Sequence, residues 1–240
     1  MSYIFNTFFY APLYNGLIFF IAVIPWHNVG FVVVAFTLLI KAILFPLSQK
    51  SVETQFKMKQ LEPDLEAIKQ KYKDNKQMQA EKTMQFYKEK SINPFSGILL
   101  MFIQLPVLLA LYYVFLKGGL PDLNHTLLYS FTKVPEAINM VMFGINVADK
   151  SIVLAILAAV TQFLQMQIMM PKVAKKDPSN KTAPQFKDEL ARSMNMQMKY
   201  VMPVIIFFIA KSFPAVVSLY LITSSIFAIG QEFYVKRKRR

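Results

Sequence analysis

Gly30-Phe-Val-Val-Val-Ala-Phe-Thr37-Leu-Leu-Ile-Lys41-Ala-Ile-Leu-Phe-Pro46-Leu-Ser48-Gln-Lys50 is the stretch whose reading decides the fold. From Phe31 to Leu47 it is apolar except for Thr37 and Lys41, and at this length such a run reads as a membrane-spanning helix. With about 1.5 Å of rise per residue, Lys41 lies about 16 Å from Gly30, close to mid-bilayer. A lysine there costs roughly 2.5–3.5 kcal/mol on insertion scales. Each Val, Ile, Leu or Phe of the span returns about 0.3–0.6 kcal/mol. The helix therefore inserts, yet it keeps a charge that membrane stability alone would remove. Thr37, Lys41 and Ser48 share one helix face, and such a face wants a polar cavity rather than lipid.

Working outward, 55% of the 240 residues are hydrophobic, and several uncharged runs reach spanning length. That pattern predicts an all-α, multi-span membrane protein forming a single domain over residues 1–240. A β-barrel is not expected, because the runs are continuously apolar rather than alternating. The expected order is an interfacial helix at 4–24, then five transmembrane helices. Span 1 is 30–49, span 2 is 95–116, span 3 is 151–170, span 4 is 199–211 and span 5 is 214–235. A helical hairpin at 51–92 separates spans 1 and 2. Loops follow at 117–150 and 171–198, and a basic tail at 236–240. Pro12, Asn15 and two tyrosines within six residues favour the interface for 4–24 over a sixth span. Pro25-Trp26-His27-Asn28 reads as a turn with Trp26 at headgroup depth. Tyr200–Ala210 covers only about 17 Å as a helix, so span 4 must extend back through Met194–Lys199 or sit in thinned bilayer.

Residues 50–92 hold ten lysines against seven acids. Leu61, Leu65, Ile68 and Tyr72 recur on one helical face. Asp74-Asn75-Lys76 is a turn, and Met78–Lys90 is a second amphipathic helix. A solvated coiled-coil spacer is the competing reading. Charge bias sets the orientation of the whole: 50–92, 171–199 and 236–240 carry 22 basic residues, and 117–150 carries three. Five spans starting at Gly30 place every basic segment, and the C-terminus, in the cytoplasm of a multi-pass cell-membrane protein. The net charge of +13 suits anionic lipid first and ribosomal RNA second; DNA is not an expected partner. Residues 1–40 hold no Lys, Arg, Asp or Glu, so a cleaved signal peptide is not evident. Without cysteine there is no disulfide and no thiol chemistry.

The spans contain no His and no Asp, and His27 and His125 sit in separate loops. No metal site, cofactor or catalytic residue is expected, and the chain does not read as an enzyme. Ser224 and Ser225 with Lys41 as base would be a nucleophilic pairing, but span hydroxyls more commonly hydrogen-bond between helices. Thr37, Lys41, Gln104, Gln162, Gln165, Ser224 and Ser225 either line a wet groove within the bilayer or make ordinary interhelical hydrogen bonds. The lysine tilts the reading toward a groove. A small-solute or anion transporter using Lys41 as its binding site is the alternative, weakened by the lack of an inverted repeat. Methionines 166, 169, 170, 194, 196, 198 and 202 cluster around the second basic loop, as a surface for varied apolar segments or as lipid-facing filler.

Thr37-Leu-Leu-Ile-Lys41-Ala-Ile-Leu-Phe-Pro46-Leu47 resembles the first core span of YidC-type membrane protein insertases, the YidC/Oxa/Albino family. So does the order that follows: Met58-Lys-Gln-Leu-Glu-Pro63, Lys71-Tyr72-Lys73, Phe86-Tyr87-Lys88, Asn93-Pro94, Gln104-Leu-Pro106 with Leu111-Tyr112, Thr161-Gln162-Phe163, and Leu219-Tyr220 with Ser224. The likeness covers roughly residues 10–235. It implies five core spans, a cytoplasmic hairpin, and a positively charged groove open to cytoplasm and lipid but closed to the outside. It implies that Lys41 stands where bacterial members usually have arginine, and that 4–24 is the interfacial helix before the core. The implied activity is insertion and folding of nascent membrane proteins without covalent chemistry. Nascent segments and the lipid bilayer are then the partners, with the ribosome and a Sec-type translocon as further candidates. Leu221 replaces a frequent tryptophan, Ser225 a frequent asparagine, and the tail after Val235 is short.

Overall fold

The computed structural model describes residues 3–93, 96–116, 120, 123–169 and 197–238. In chain order its helices are α1 (Tyr3–Val23), α2 (Val29–Ile43), α3 (Phe45–Gln60), α4 (Glu62–Lys71), α5 (Lys76–Glu89), α6 (Ser96–Leu116), α7 (Ile152–Met169), α8 (Met202–Ser212) and α9 (Ala215–Lys238). Among these, α1, α7 and Ala215–Arg237 are long and apolar enough to cross a membrane. The broken pair Val29–Ile43 and Phe45–Thr54 adds a fourth if counted as one span, and Gln104–Phe115 is a shorter apolar helix. The chain is an all-α membrane protein. The loop predicted for 171–198 lies, up to residue 196, outside the described residues.

Two compact units emerge: Met1–Ala42 with Pro106–Phe233, and Ile43–Leu105 with Tyr234–Arg240. In the first, α1 buries Tyr10, Tyr14, Leu17, Ile18 and Ile21 along one stripe. Its opposite side leaves Ile4, Phe8, Phe19 and Val23 exposed. Val29, Val32 and Val33 of α2, Val107, Leu111 and Val114 of α6, and Val216, Val217 and Tyr220 of α9 join the same core. Ala155 and Ala158 of α7 and Ala210 of α8 are fully buried; small residues let helix backbones approach closely. Among the described residues, a π-turn at Gln197–Val201 precedes α8.

The loop between α6 and α7 is the least anticipated part. It contains a minimal hairpin, β1 (Val141–Met142) and β2 (Ile145–Asn146), where no strand was expected. Side chains of α1 hold the loop's first half. Asn15 Nδ2 donates to the carbonyls of Ala11 (2.9 Å) and Leu127 (2.8 Å). Its Oδ1 accepts from Tyr129 N (2.7 Å) and from the Thr132 hydroxyl (2.8 Å). Tyr14 accepts from Asn124 N at 2.9 Å. The second half meets the α1–α2 turn, where Val29 N donates to Asn139 O and Asn139 N to His27 O. Asn28 Nδ2 reaches Val141 O at 2.7 Å. Ala215 N then donates to Asp149 O (2.7 Å) and Val216 N to Val147 O (3.0 Å).

Within the stretch expected as span 1 (30–49), the helix is broken: α2 ends at Ile43 and a new helix begins at Phe45. Pro46 has no N–H for the carbonyl of Ala42, and its ring crowds that carbonyl, so a helix cannot pass unbroken. α3 then runs through Gln60, past the expected start of the hairpin at 51. In the second unit, α4 starts with Pro63 in its first turn, where a missing N–H costs nothing. The turn falls at 72–75, and α5 starts at Lys76, two residues before the sequence pattern suggested. Asn75 caps α5 by accepting from Met78 N at 3.0 Å. Gln79 Nε2 donates to Lys69 O at 2.6 Å, tying α5 to α4. Phe45 and Tyr234 stack edge-on at 5.9 Å. The final helix continues to Lys238, so the expected tail begins helically.

Asn15→Leu keeps apolar volume but strands the partners Leu127, Tyr129 and Thr132. Each unsatisfied buried group costs about 1–3 kcal/mol, so thermal unfolding in detergent should show a destabilisation of about 3 kcal/mol or more. Asn15→Asp, which keeps the acceptor oxygens, should recover part of it.

Candidate functional site

Depth in this protein can be counted from helix starts. α2, α7 and α9 all begin against one segment, residues 139–151: Val29 bonds Asn139, Ala215 bonds Asp149, and α7 follows Ser151, whose Oγ accepts from Leu154 N. Lys41 is then about 18 Å down α2, while Gln162 on α7 and Ser225 on α9 are each about 15 Å down. The shared register is confirmed by contact, because the Ser225 hydroxyl donates to Gln162 Oε1 at 3.2 Å. Gln165, one turn further, donates to the Met169 sulfur at 3.4 Å.

The remaining expected residues are placed as follows. Thr37 is buried, and its hydroxyl donates to Val33 O at 2.6 Å within α2. Lys41 is partly buried one turn on. Ser224 and Ser225 are buried on α9. Gln104 is partly buried on the segment of α6 that belongs to the second unit. Of the expected set, then, Gln162 and Ser225 touch, and Thr37, Lys41, Gln165 and Ser224 share their unit. Thr161, next to Gln162, turns its hydroxyl back to Leu157 O and Ala158 O.

Sequence reading missed the polar staple made by Tyr14, Asn15, Asn28 and Thr132. Its one available signal was Asn15 standing on the same helical stripe as Tyr14 and Ile18. Among the described residues no three His, Asp or Glu come together to hold a metal ion. The described residues thus offer polar side chains and the Lys41 cation at similar depth along these helices.

Apolar helices carrying these polar groups at mid-depth define a multi-pass α-helical membrane protein. Residues 19–240 match the family described as 60Kd inner membrane protein, and the chain belongs to that family. It is 33% identical over 243 residues to a membrane protein insertase YidC of Fusobacterium nucleatum, with 99% of each chain covered. A membrane protein insertase YidC 2 of Bacillus anthracis is 30% identical, across 97% of this chain and 81% of its own. A membrane protein insertase YidC of Chlorobium limicola is 32% identical over 210 residues, and the match spans 33% of that longer protein. The family is non-enzymatic, and the chain is not an enzyme.

If the Ser225–Gln162 bond fastens α9 to α7, a double-mutant cycle of Ser225→Ala and Gln162→Leu should show coupling of about 0.6 kcal/mol, the usual scale for such bonds in membranes. Unfolding in detergent measures it.

Proposed function

We propose that the chain is a membrane protein insertase and chaperone, which inserts nascent membrane segments through a positively charged polar groove in the cytoplasmic half of the bilayer. The observation that carries the reading is Lys41, a cation about 18 Å down a membrane helix, in a chain whose relatives are named insertases. Five spans built on α2, α6, α7, α8 and α9 place the basic segments in the cytoplasm. The α4–α5 pair is the cytoplasmic hairpin that first captures a client. α1 is the interfacial helix. Supporting that assignment, its midpoint Asn15 bonds the loop at 127–132, Phe5 packs on Tyr113 at 6.1 Å, and Phe20 on Phe36 at 5.4 Å. Phe36 is only about 10 Å down α2, so α1 stays near the loop end along its whole length.

In this mechanism the short translocated part of a client enters among Lys41, Gln162, Gln165 and Ser225, and no covalent bond changes. An acidic residue costs about 2.5–3.5 kcal/mol at mid-bilayer. A carboxylate about 6 Å from the lysine ammonium, at an effective dielectric near 20, gains about 3 kcal/mol. The attraction therefore offsets most of that cost, and the apolar remainder partitions sideways into lipid. The basic loop and tail meet anionic lipid, and the ribosome and a Sec-type channel are the partners that would deliver clients.

Reconstitution tests the activity: proteoliposomes should insert a single-span client and show no solute flux, whereas flux without insertion selects the transporter. In that assay Lys41→Arg should retain activity. Lys41→Glu and Lys41→Leu should slow clients with acidic translocated segments by about tenfold or more, the loss expected from removing 1.4 kcal/mol or more. Lys41→Leu should leave the fold at least as stable, so the loss would be of charge and not of structure.

Topology has its own check. Reporter fusions should place residues 75, 180 and 240 in the cytoplasm, and residue 130 and the N-terminus outside. A cytoplasmic reading at 130 overturns the five-span arrangement.

A further inference from the structure

Two large aromatic side chains stand outward on backbone that suits neither of them. Trp26 is 78% exposed with φ 70°, and Phe143 is 83% exposed with φ 50°. Phe143-Gly144 is the two-residue turn between β1 and β2, and Gly144 also has positive φ, at 77°. Such a turn ordinarily carries Asn-Gly, because a bulky Cβ crowds its own carbonyl in the left-handed region. Strain of this kind persists where the placement of the side chain matters. The two residues flank one paired segment: Asn28 bridges Asn139, with Trp26 two residues before the first and Phe143 four after the second.

The surroundings select lipid as what covers them. Phe143 packs edge-on against Phe31 at 5.6 Å, in the first turn of α2. Phe31 and Leu38 are exposed on one face of that helix, which in a membrane span is the face toward acyl chains. Phe143 therefore continues the lipid-facing surface of α2 past its end, where headgroups begin. Residues 20–40 and 139–148 contain no charged side chain to oppose burial. The amphipathic rings of Trp and Tyr collect at that depth in membrane proteins generally. We propose that Trp26 and the hairpin tip at Phe143 form a two-point anchor in the leaflet at the N-terminal end of α2. Through the Asn28–Asn139 pairing, this anchor sets the depth at which α2 starts. The inference rests on α2 being a membrane span.

Trp26 is the single tryptophan of the chain, so its emission reports one position without any mutation. The full protein is reconstituted in phosphatidylcholine/phosphatidylglycerol vesicles containing lipids brominated high or low on the acyl chain, with iodide as the aqueous quencher. In the native protein, Trp26 should be quenched by shallow bromines several-fold more than by iodide. With Trp26→Phe as background, Phe143→Trp should behave the same way, and Leu38→Trp should respond to the deep bromines. Iodide quenching of Trp26 and of the Phe143→Trp reporter, with Leu38→Trp still reached by deep bromines, overturns the anchor and leaves the span standing. Failure of bromolipid to reach Leu38→Trp removes the span and the anchor together.

Discussion

A helix that begins at the edge of a bilayer has four backbone N–H groups without partners in its own turn, and hydrocarbon offers none. The first unit meets this constraint at one place. Phe31 N donates to Asn28 Oδ1, Leu154 N to Ser151 Oγ, and Ala215 and Val216 to the carbonyls of Asp149 and Val147. Val29 itself is held by Asn139 O. Apart from the Asn28 cap, these bonds come from the loop between α6 and α7, which is electrically neutral and has few strong secondary-structure signals. They nonetheless start α2, α7 and α9 at a common level, and that level decides which residues meet about 15 Å below. Ser225 reaching Gln162 is the visible result, since each lies ten residues past the first residue of its helix.

The sequence made the apolar helices legible because membrane-length runs need no partner to be recognised. It also made the α4–α5 pair legible, through Leu65 and Ile68 on one face and the turn chemistry of Asn75. What it hid were bonds between distant segments. Asn15 looked like an interruption favouring the interface, whereas it spends its amide on Leu127, Tyr129 and Thr132, more than 110 residues away. The β1–β2 hairpin was hidden for a related reason: two-residue strands carry no period to detect. Thr37 and Lys41 were readable as neighbours on a helix face. The pairing of Gln162 with Ser225 was not, because it depends on where separate helices start.

Pro46 ends α2 just past Lys41. Breaking the helix after Ile43 places Lys41 in the last turn of α2, where the carbonyl of Ala42 has no N–H from residue 46 to accept. Helix C-termini carry partial negative charge, and a cation there gains about 0.3–1 kcal/mol, up to about 2 kcal/mol in partly buried geometry. An unbroken helix would hold the same lysine mid-helix without that gain. The break is thus part of what makes a lysine tolerable about 18 Å from the end of a membrane helix, and it recovers a fraction of the 2.5–3.5 kcal/mol insertion cost.

Groove and glue, which from sequence alone were competing accounts of the same polar residues, are compatible with the hydrogen bonds that these residues make. Thr37 and Thr161 return their protons to their own helices. Ser225 uses its proton to fasten α9 to the carbonyl oxygen of Gln162. That bond occupies the acceptor end of the glutamine and directs its amide N–H groups elsewhere. In the groove we propose, the groups offered to a passing segment would include two kinds of donor, the ammonium of Lys41 and the amide N–H groups of Gln162. A client's backbone carbonyls and carboxylates are acceptors, and in a low-dielectric setting an unmet acceptor is what makes partial entry costly. On the proposed reading, such donors would lower that cost for any client, and the positive charge would lower it further for acidic ones, without recognising a particular sequence.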